Sequence, residues 1–189
     1  MAAALRRAIR SWGLPGVLLG AALGLSACAS GGPTGGGGAY VGGNVGLECA
    51  PFARALTGVR LSGDAYAWWD GAAGRYERSS HPATGSVLVL RRDSRLPYGH
   101  VAVVSRVLSG RQILVTQANW VHHRVTEDQP VVDVSEANDW SLVRVWWPPS
   151  GGMGTHEYPA YGFIRPDHAL SHDEIASATP RAIRLAEGE

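Results

Sequence analysis

Of the two cysteines and seven histidines in the chain, Cys49 and His100 stand where covalent catalysis needs them. A thiol attacks only as its thiolate, so its surroundings must favour negative charge. The run Glu48 to Leu56 reads as a short helix, with Pro51 in the first turn, where a missing N–H costs nothing, and Gly58 just past the end. Cys49 therefore sits at a helix N-terminus, whose partial positive charge lowers a thiol pKa. His100 opens a β-rich run directly after Gly99, a place from which an imidazole can stand at the sheet end and face the helix terminus as a base. A base needs an orienter. Strand alternation puts Ile113, Val115, Gln117 and Asn119 on one face, so two apolar residues lead into two amides at the strand end. Cysteine, histidine and amide together are the working parts of a thiol hydrolase.

The elements that must position these residues are legible as patterns. Asp64 to Ala73 reads as a second helix, opened by Ser62-Gly63 and closed by Gly74. Beyond it come short β-rich runs at 86–90, 100–104, 113–117 and 142–146, separated by turn signals at Pro97-Tyr98-Gly99, Ser109-Gly110 and Pro148-Pro149. Helices first and closely spaced strands afterwards predict an α+β fold, with N-terminal helices packed against a small antiparallel sheet.

Taken together, Glu48-Cys49-Ala50 at a helix start, Ala67-Trp68-Trp69-Asp70, Thr84 to Val89, Gly99 to Val104 and Gln117-Ala118-Asn119-Trp120 resemble the CHAP family. Its members are the cysteine, histidine-dependent amidohydrolases and peptidases of bacterial cell-wall metabolism. The resemblance covers about residues 44 to 147. It implies a papain-like version of the α+β fold. It also implies attack by Cys49 on an amide of peptidoglycan, either the muramoyl–L-alanine amide or a peptide bond of the stem or cross-bridge. His100 would be the base, and Asn119 with Gln117 would hold the imidazole. The family often carries Glu two residues before the Asn, where this chain has Gln117, so the orienting pair is uncharged. Trp120, directly after Asn119, and Tyr98, in the turn before His100, are the substrate-binding candidates. Two other readings share the residues: an amidase of a small soluble amide, and an inactive CHAP-like protein that binds the wall or a partner.

Composition limits the alternatives. With 189 residues at 20.0 kDa and 17% charged residues there is room for one domain, and two cysteines make neither a disulfide scaffold nor a Cys-rich zinc module. Arg6, Arg7 and Arg10 precede an uncharged apolar stretch, Gly13 to Leu25, as in an export signal. The stretch ends Leu25-Ser26-Ala27-Cys28, which resembles the lipobox of bacterial lipoproteins and makes Cys28 the expected lipidation site. Ala29 after it resembles the sorting pattern for the outer membrane, so the protein is expected in the cell envelope, facing the periplasm. Loss of the three leader arginines takes the net charge from +1 to −2, which leaves no electrostatic footprint for nucleic acid.

The expected organisation is thus a signal peptide over 1–27, a Gly-rich tether over 28–46, a catalytic domain over 47–166 and a polar tail over 167–189 with at most a short helix at 173–178. Partners are peptidoglycan and, through the anchor, a membrane; the domain is expected to be a monomer. No cofactor is expected. His168 and His172 stand four apart beside acidic residues, but their segment offers no apolar face to hold a metal site rigid. The Trp68-Trp69 and Trp146-Trp147 pairs read as core and rim packing, because adjacent residues point in different directions. The Arg91-Arg92-Arg95 cluster reads as a solvated hairpin face.

Overall fold

A computed structural model describes residues 39–41 and 46–188 of the chain; the leader, Cys28 and most of the tether lie outside the described residues. Helix α1 (Cys49–Thr57) comes first, after a two-residue strand β1 (Tyr40–Val41). One turn of helix, α2 (Trp68–Gly71), leads to β2 (Glu77–Ser79), β3 (Val87–Leu90), β4 (His100–Ser109), β5 (Gln112–Ala118), β6 (Val125–Asp133), β7 (Leu142–Trp147), β8 (Gly152–Met153) and β9 (Tyr158–Arg165). Helix α3 (His172–Glu187) closes the described chain.

Six strands pair in a ring, β3–β4–β5–β6–β7–β9 and back to β3, antiparallel throughout. The expected papain-like arrangement of N-terminal helices on a small sheet is therefore overturned: the core element is a closed antiparallel β-barrel with few helices. The reason lies in two strands that the sequence patterns hide. β6 carries Glu127-Asp128-Gln129-Pro130 at its centre and β9 carries Pro159 and Gly162, residues that read as strand breakers. Both strands are bulged at those places. β6 inserts one extra residue opposite Val115 to Gln117, with Asp128 in the left-handed region at φ 52°, and β9 shifts register opposite Val89 to Leu90. Bulges sharpen the bend of a strand, and these two strands are the ones that join β5 to β7 and β3 to β7. At Gly162, with φ 131°, an added Cβ would lie 2.5 Å from the Ser79 carbonyl oxygen, so only glycine lets β2 and β9 approach this closely.

Strand alternation divides the apolar residues between two cores. Leu88, Leu90, Ala102, Val104, Ile113, Val115, Val131 and Phe163 fill the barrel, joined by Trp140, whose ring meets Phe163 edge-on at 5.5 Å. Val87, Val89, Val101, Val103, Ala118 and Ile164 face outward and are covered by Phe52, Ala53 and Leu56 of α1 and by Ile175 and Ile183 of α3. β3 is buried on both faces, which explains why its sequence is continuously apolar rather than alternating.

The polar stretch after residue 166 is not a tail with a short helix over 173–178. It forms the sixteen-residue α3, opened by a capping box in which Ser171 and Glu174 bond reciprocally. Ile175, Thr179, Ala182 and Ile183 recur at helical spacing and bury against the α1 layer. The helix start is tied to the β6 bulge by His172 Nε2, 3.1 Å from Asp128 Oδ2, while Ser105 Oγ donates to Asp128 Oδ1 at 2.6 Å. Ile175→Ala should cost about 2–4 kcal/mol, whereas Leu185→Ala, on the exposed side of the same helix, should cost under about 0.5 kcal/mol. Urea unfolding of the two variants checks this, and equal midpoints would show that α3 does not seal the domain.

Candidate active site

The end of α1 that carries Cys49 is built to leave N–H groups unspent. Glu48 caps the helix with extended backbone, and its carbonyl accepts the Phe52 N–H at 3.3 Å. Pro51 has no N–H to offer. The amides of Cys49 and Ala50 therefore lie outside the helix's own ladder, and both point at the thiol, together with the Val101 N–H of β4. Opposite stands His100. Its position at the strand start depends on Gly99, at φ 68°, where an added Cβ would come within 2.8 Å of both the Leu90 carbonyl oxygen and the Tyr66 nitrogen.

Cys49 and His100 line one cavity of about 480 Å³, with Tyr98, Leu96, Arg54, Arg95, Glu48, Asp64 and Asn119 also around its wall. Tyr98 is 67% exposed at its mouth. Gln117 lies behind the imidazole, fully buried, and its Oε1 is 2.9 Å from His100 Nε2. An amide oxygen only accepts, so Nε2 carries the proton and the Nδ1 lone pair is left as the basic site. Asn119 does something different from the expected orientation of the ring. Its backbone is left-handed, at φ 58°; its Oδ1 accepts the His123 N–H at 3.0 Å and its Nδ2 donates to Glu48 Oε2 at 3.0 Å. The residue thus clamps the cap of the nucleophile's helix to the loop after β5. Trp120 stands outside this cavity, with its ring edge-on to the His100 ring at 5.1 Å and its Nε1–H donating to the Trp146 carbonyl at 3.1 Å.

Burial decides the charge state of the pair. It pushes the Cys49 thiol up to about 11, helped by the neighbouring Glu48 carboxylate and opposed by the Val101, Ala50 and Cys49 N–H groups. It pushes the His100 imidazole down to about 4, partly offset by the bond to Gln117. The helix-terminal effect expected to lower the thiol pKa is present but outweighed by desolvation. Free of substrate, the site holds a neutral thiol beside a neutral imidazole.

Among the described residues no group of three or more His, Cys, Asp or Glu side chains could hold a metal ion, and His172 is spent on Asp128 and Arg106. Sequence patterns miss the clamp role of Glu48, because its partner lies 71 residues away, and they leave Arg95 on a solvated face although it borders the cavity. The signal for Arg95 was its place in the tight turn just before His100.

The barrel rim thus brings a cysteine at a helix start and a strand-end histidine to one cavity. The family model of the CHAP domain matches residues 38–119, a span that holds Cys49, His100, Gln117 and Asn119 and stops before Trp120. The CHAP domain is typically a cysteine- and histidine-dependent amidohydrolase or peptidase domain of the peptidoglycan-hydrolase type. No curated protein matches the chain. Among solved structures, "The crystal structure of Ly7917" is similar over 68% of this chain and 91% of that one, at 17% identity and a TM-score of 0.31.

Because thiolate is the reactive form, alkylation of Cys49 by iodoacetamide should climb steadily with pH through the range where a free cysteine levels off, and should flatten only near pH 11. A rate plateau already reached at neutral pH would mean that a thiolate–imidazolium pair exists in the resting protein.

Proposed function

We propose that this protein is a cysteine-dependent amidohydrolase or peptidase that cuts an amide bond of peptidoglycan. The carrying observation is that Cys49 and His100 share one cavity while Gln117 holds the imidazole through Nε2 and leaves Nδ1 to act as base. With both groups neutral at rest, proton transfer from the Cys49 thiol to His100 Nδ1 accompanies attack of sulfur on the carbonyl carbon. The new negative charge on the carbonyl oxygen is met by the unspent N–H groups at the start of α1. His100 then passes the proton to the departing amine, which breaks the C–N bond and leaves a thioester on Cys49. Water, deprotonated by the same Nδ1, hydrolyses the thioester and restores the thiol.

Gln117 acts as a positioning residue: it fixes the tautomer and the ring plane without adding charge. The missing carboxylate fits the neutral pair, since a carboxylate at this place would raise the imidazole pKa and favour its protonated, non-basic form. The cavity wall carries Arg54 and Arg95 as well as Glu48 and Asp64, so it is not the acidic pocket that a small cationic amide would call for.

Digestion of purified sacculi by the domain, with mass analysis of released fragments, tests the activity. Cys49→Ala should lower fragment release by at least about 10³-fold. Undiminished release from that variant, or no release by the unaltered protein, would refute the assignment.

The proposed cellular setting is a monomeric domain held by lipid on Cys28 and a Gly-rich tether in the envelope, facing the periplasm. What supports it is the charged, apolar and small-residue order of the first 28 residues; among the described residues no helix is long and apolar enough to cross a membrane. Cys28→Ala should move the protein from membrane to soluble fractions, or block its processing, with sacculus digestion by the purified domain unchanged. Undiminished membrane association would remove the anchor.

A further inference from the structure

A second cavity, of about 340 Å³, lies beside the catalytic one. Its walls come from Trp120 and from β7 to β9, a stretch that the CHAP family match at 38–119 does not reach. Arg95 borders both cavities, and the Trp120 ring that walls the second one packs edge-on against His100. The two spaces are therefore neighbours with a shared cation at their junction.

The lining has the chemistry of a sugar subsite. Trp120 and Tyr158 are locked edge-to-face at 5.1 Å, and the Trp120 N–H is already satisfied by Trp146, so these rings are fixed in place. Trp147 is 39% exposed, a large indole left open to solvent on the cavity wall. Among the described residues the Arg95 side chain makes no hydrogen bond or ion pair; the loop that carries it is held instead by Asp93 Oδ1, which accepts the Arg95 and Leu96 N–H groups at 2.7 and 2.8 Å. Thr155 adds a hydroxyl. The exposed Trp147 indole, beside the fixed rings of Trp120 and Tyr158, offers a flat face to the axial C–H groups of a pyranose, whereas an unpaired guanidinium and a hydroxyl at the edge suit its ring substituents. The volume falls in the range of small-ligand sites, roughly 300–1,000 Å³. His156, packed edge-on against Tyr158 at 4.6 Å and 3.6 Å from Asp93, completes the wall, so among the described residues Arg95 is the one guanidinium here for the carboxylates of a peptide stem.

We infer that the second cavity, walled by Trp120, Trp147 and Tyr158 with Arg95 at its inner edge, binds an N-acetylated hexosamine of the glycan strand. The inference rests on the peptidoglycan reading of the site, and it places the glycan on the β7–β9 side of Cys49. It revises the view of Trp147 as rim packing alone.

Binding can be measured without turnover. The β-1,4-linked trisaccharide of N-acetylglucosamine should bind the full-length Cys49→Ala protein, as read by calorimetry. Adding Trp147→Ala should weaken the affinity by at least about tenfold, and Trp147→Phe, which keeps a stacking face, should retain most of it. No binding by Cys49→Ala, equal affinity in the Trp147→Ala variant, or displacement of the trisaccharide by a sugar-free stem peptide would overturn the inference. Failure of the hydrolase reading looks different: sacculi left intact by the unaltered protein, with trisaccharide binding still dependent on Trp147.

Discussion

Val87 to Leu90 meet water on neither side, and that two-sided burial is the constraint on which the rest of the molecule depends. One set of side chains fills the barrel and the other is roofed by α1 and α3. A strand wall covered on both faces has no solvent edge in its middle, so polar chemistry is confined to the rim, where strands begin and end. His100 is the first residue of β4 and Gln117 the next to last of β5. Both are buried although they stand at strand ends, because α1 comes down over that rim and brings Cys49 with it. The cavity is the space that this roof leaves open.

Dryness then sets the electrostatics. A carboxylate behind the imidazole would be a buried charge with one partner, which is costly unless the partner is permanently charged as well. An amide avoids that cost and still fixes the ring. It does so incompletely: the Nε2 of Gln117 is buried with no hydrogen-bond partner among the described residues. One unsatisfied donor is a smaller penalty than one unpaired charge. Asn119, just past the end of β5 and not bonded to the imidazole, ties down Glu48 beside Cys49 instead, so the two amides hold different parts of the site.

How much of this was readable without coordinates depended on the range of the interaction involved. The start of α1 was legible because Pro51 and Gly58 are local punctuation, and Cys49, His100 and Gln117 stood out because each occupies an element terminus. Closure of the barrel was not, since it rests on β6 and β9, whose acidic, proline and glycine residues are needed at bulges and look like loop. α3 was hidden by Pro180 and by its low overall hydrophobicity; its apolar residues are few but fall on one stripe. The continuous apolar run of β3 did contain the missing information, because a strand with one face in water alternates. The clamp between Glu48 and Asn119 and the cavity of Trp147 are long-range accidents of the fold that no spacing rule encodes.

The packing of α3 on α1 also bears on when the site comes into being during synthesis. Helix α1 is made early and its α3 cover late, so more than a hundred residues leave the ribosome before α1 is packed on that side, while the groups around Cys49 itself, up to Asn119, arrive sooner. Pairings across such distances form slowly. Until the groups around it are in place the thiol is exposed, in a chain whose closing strands have unpaired edges. A nascent or unfolded chain thus carries an ordinary cysteine, open to oxidation and with no base beside it. The arrangement of Cys49, His100 and Gln117 is a property only of the finished fold.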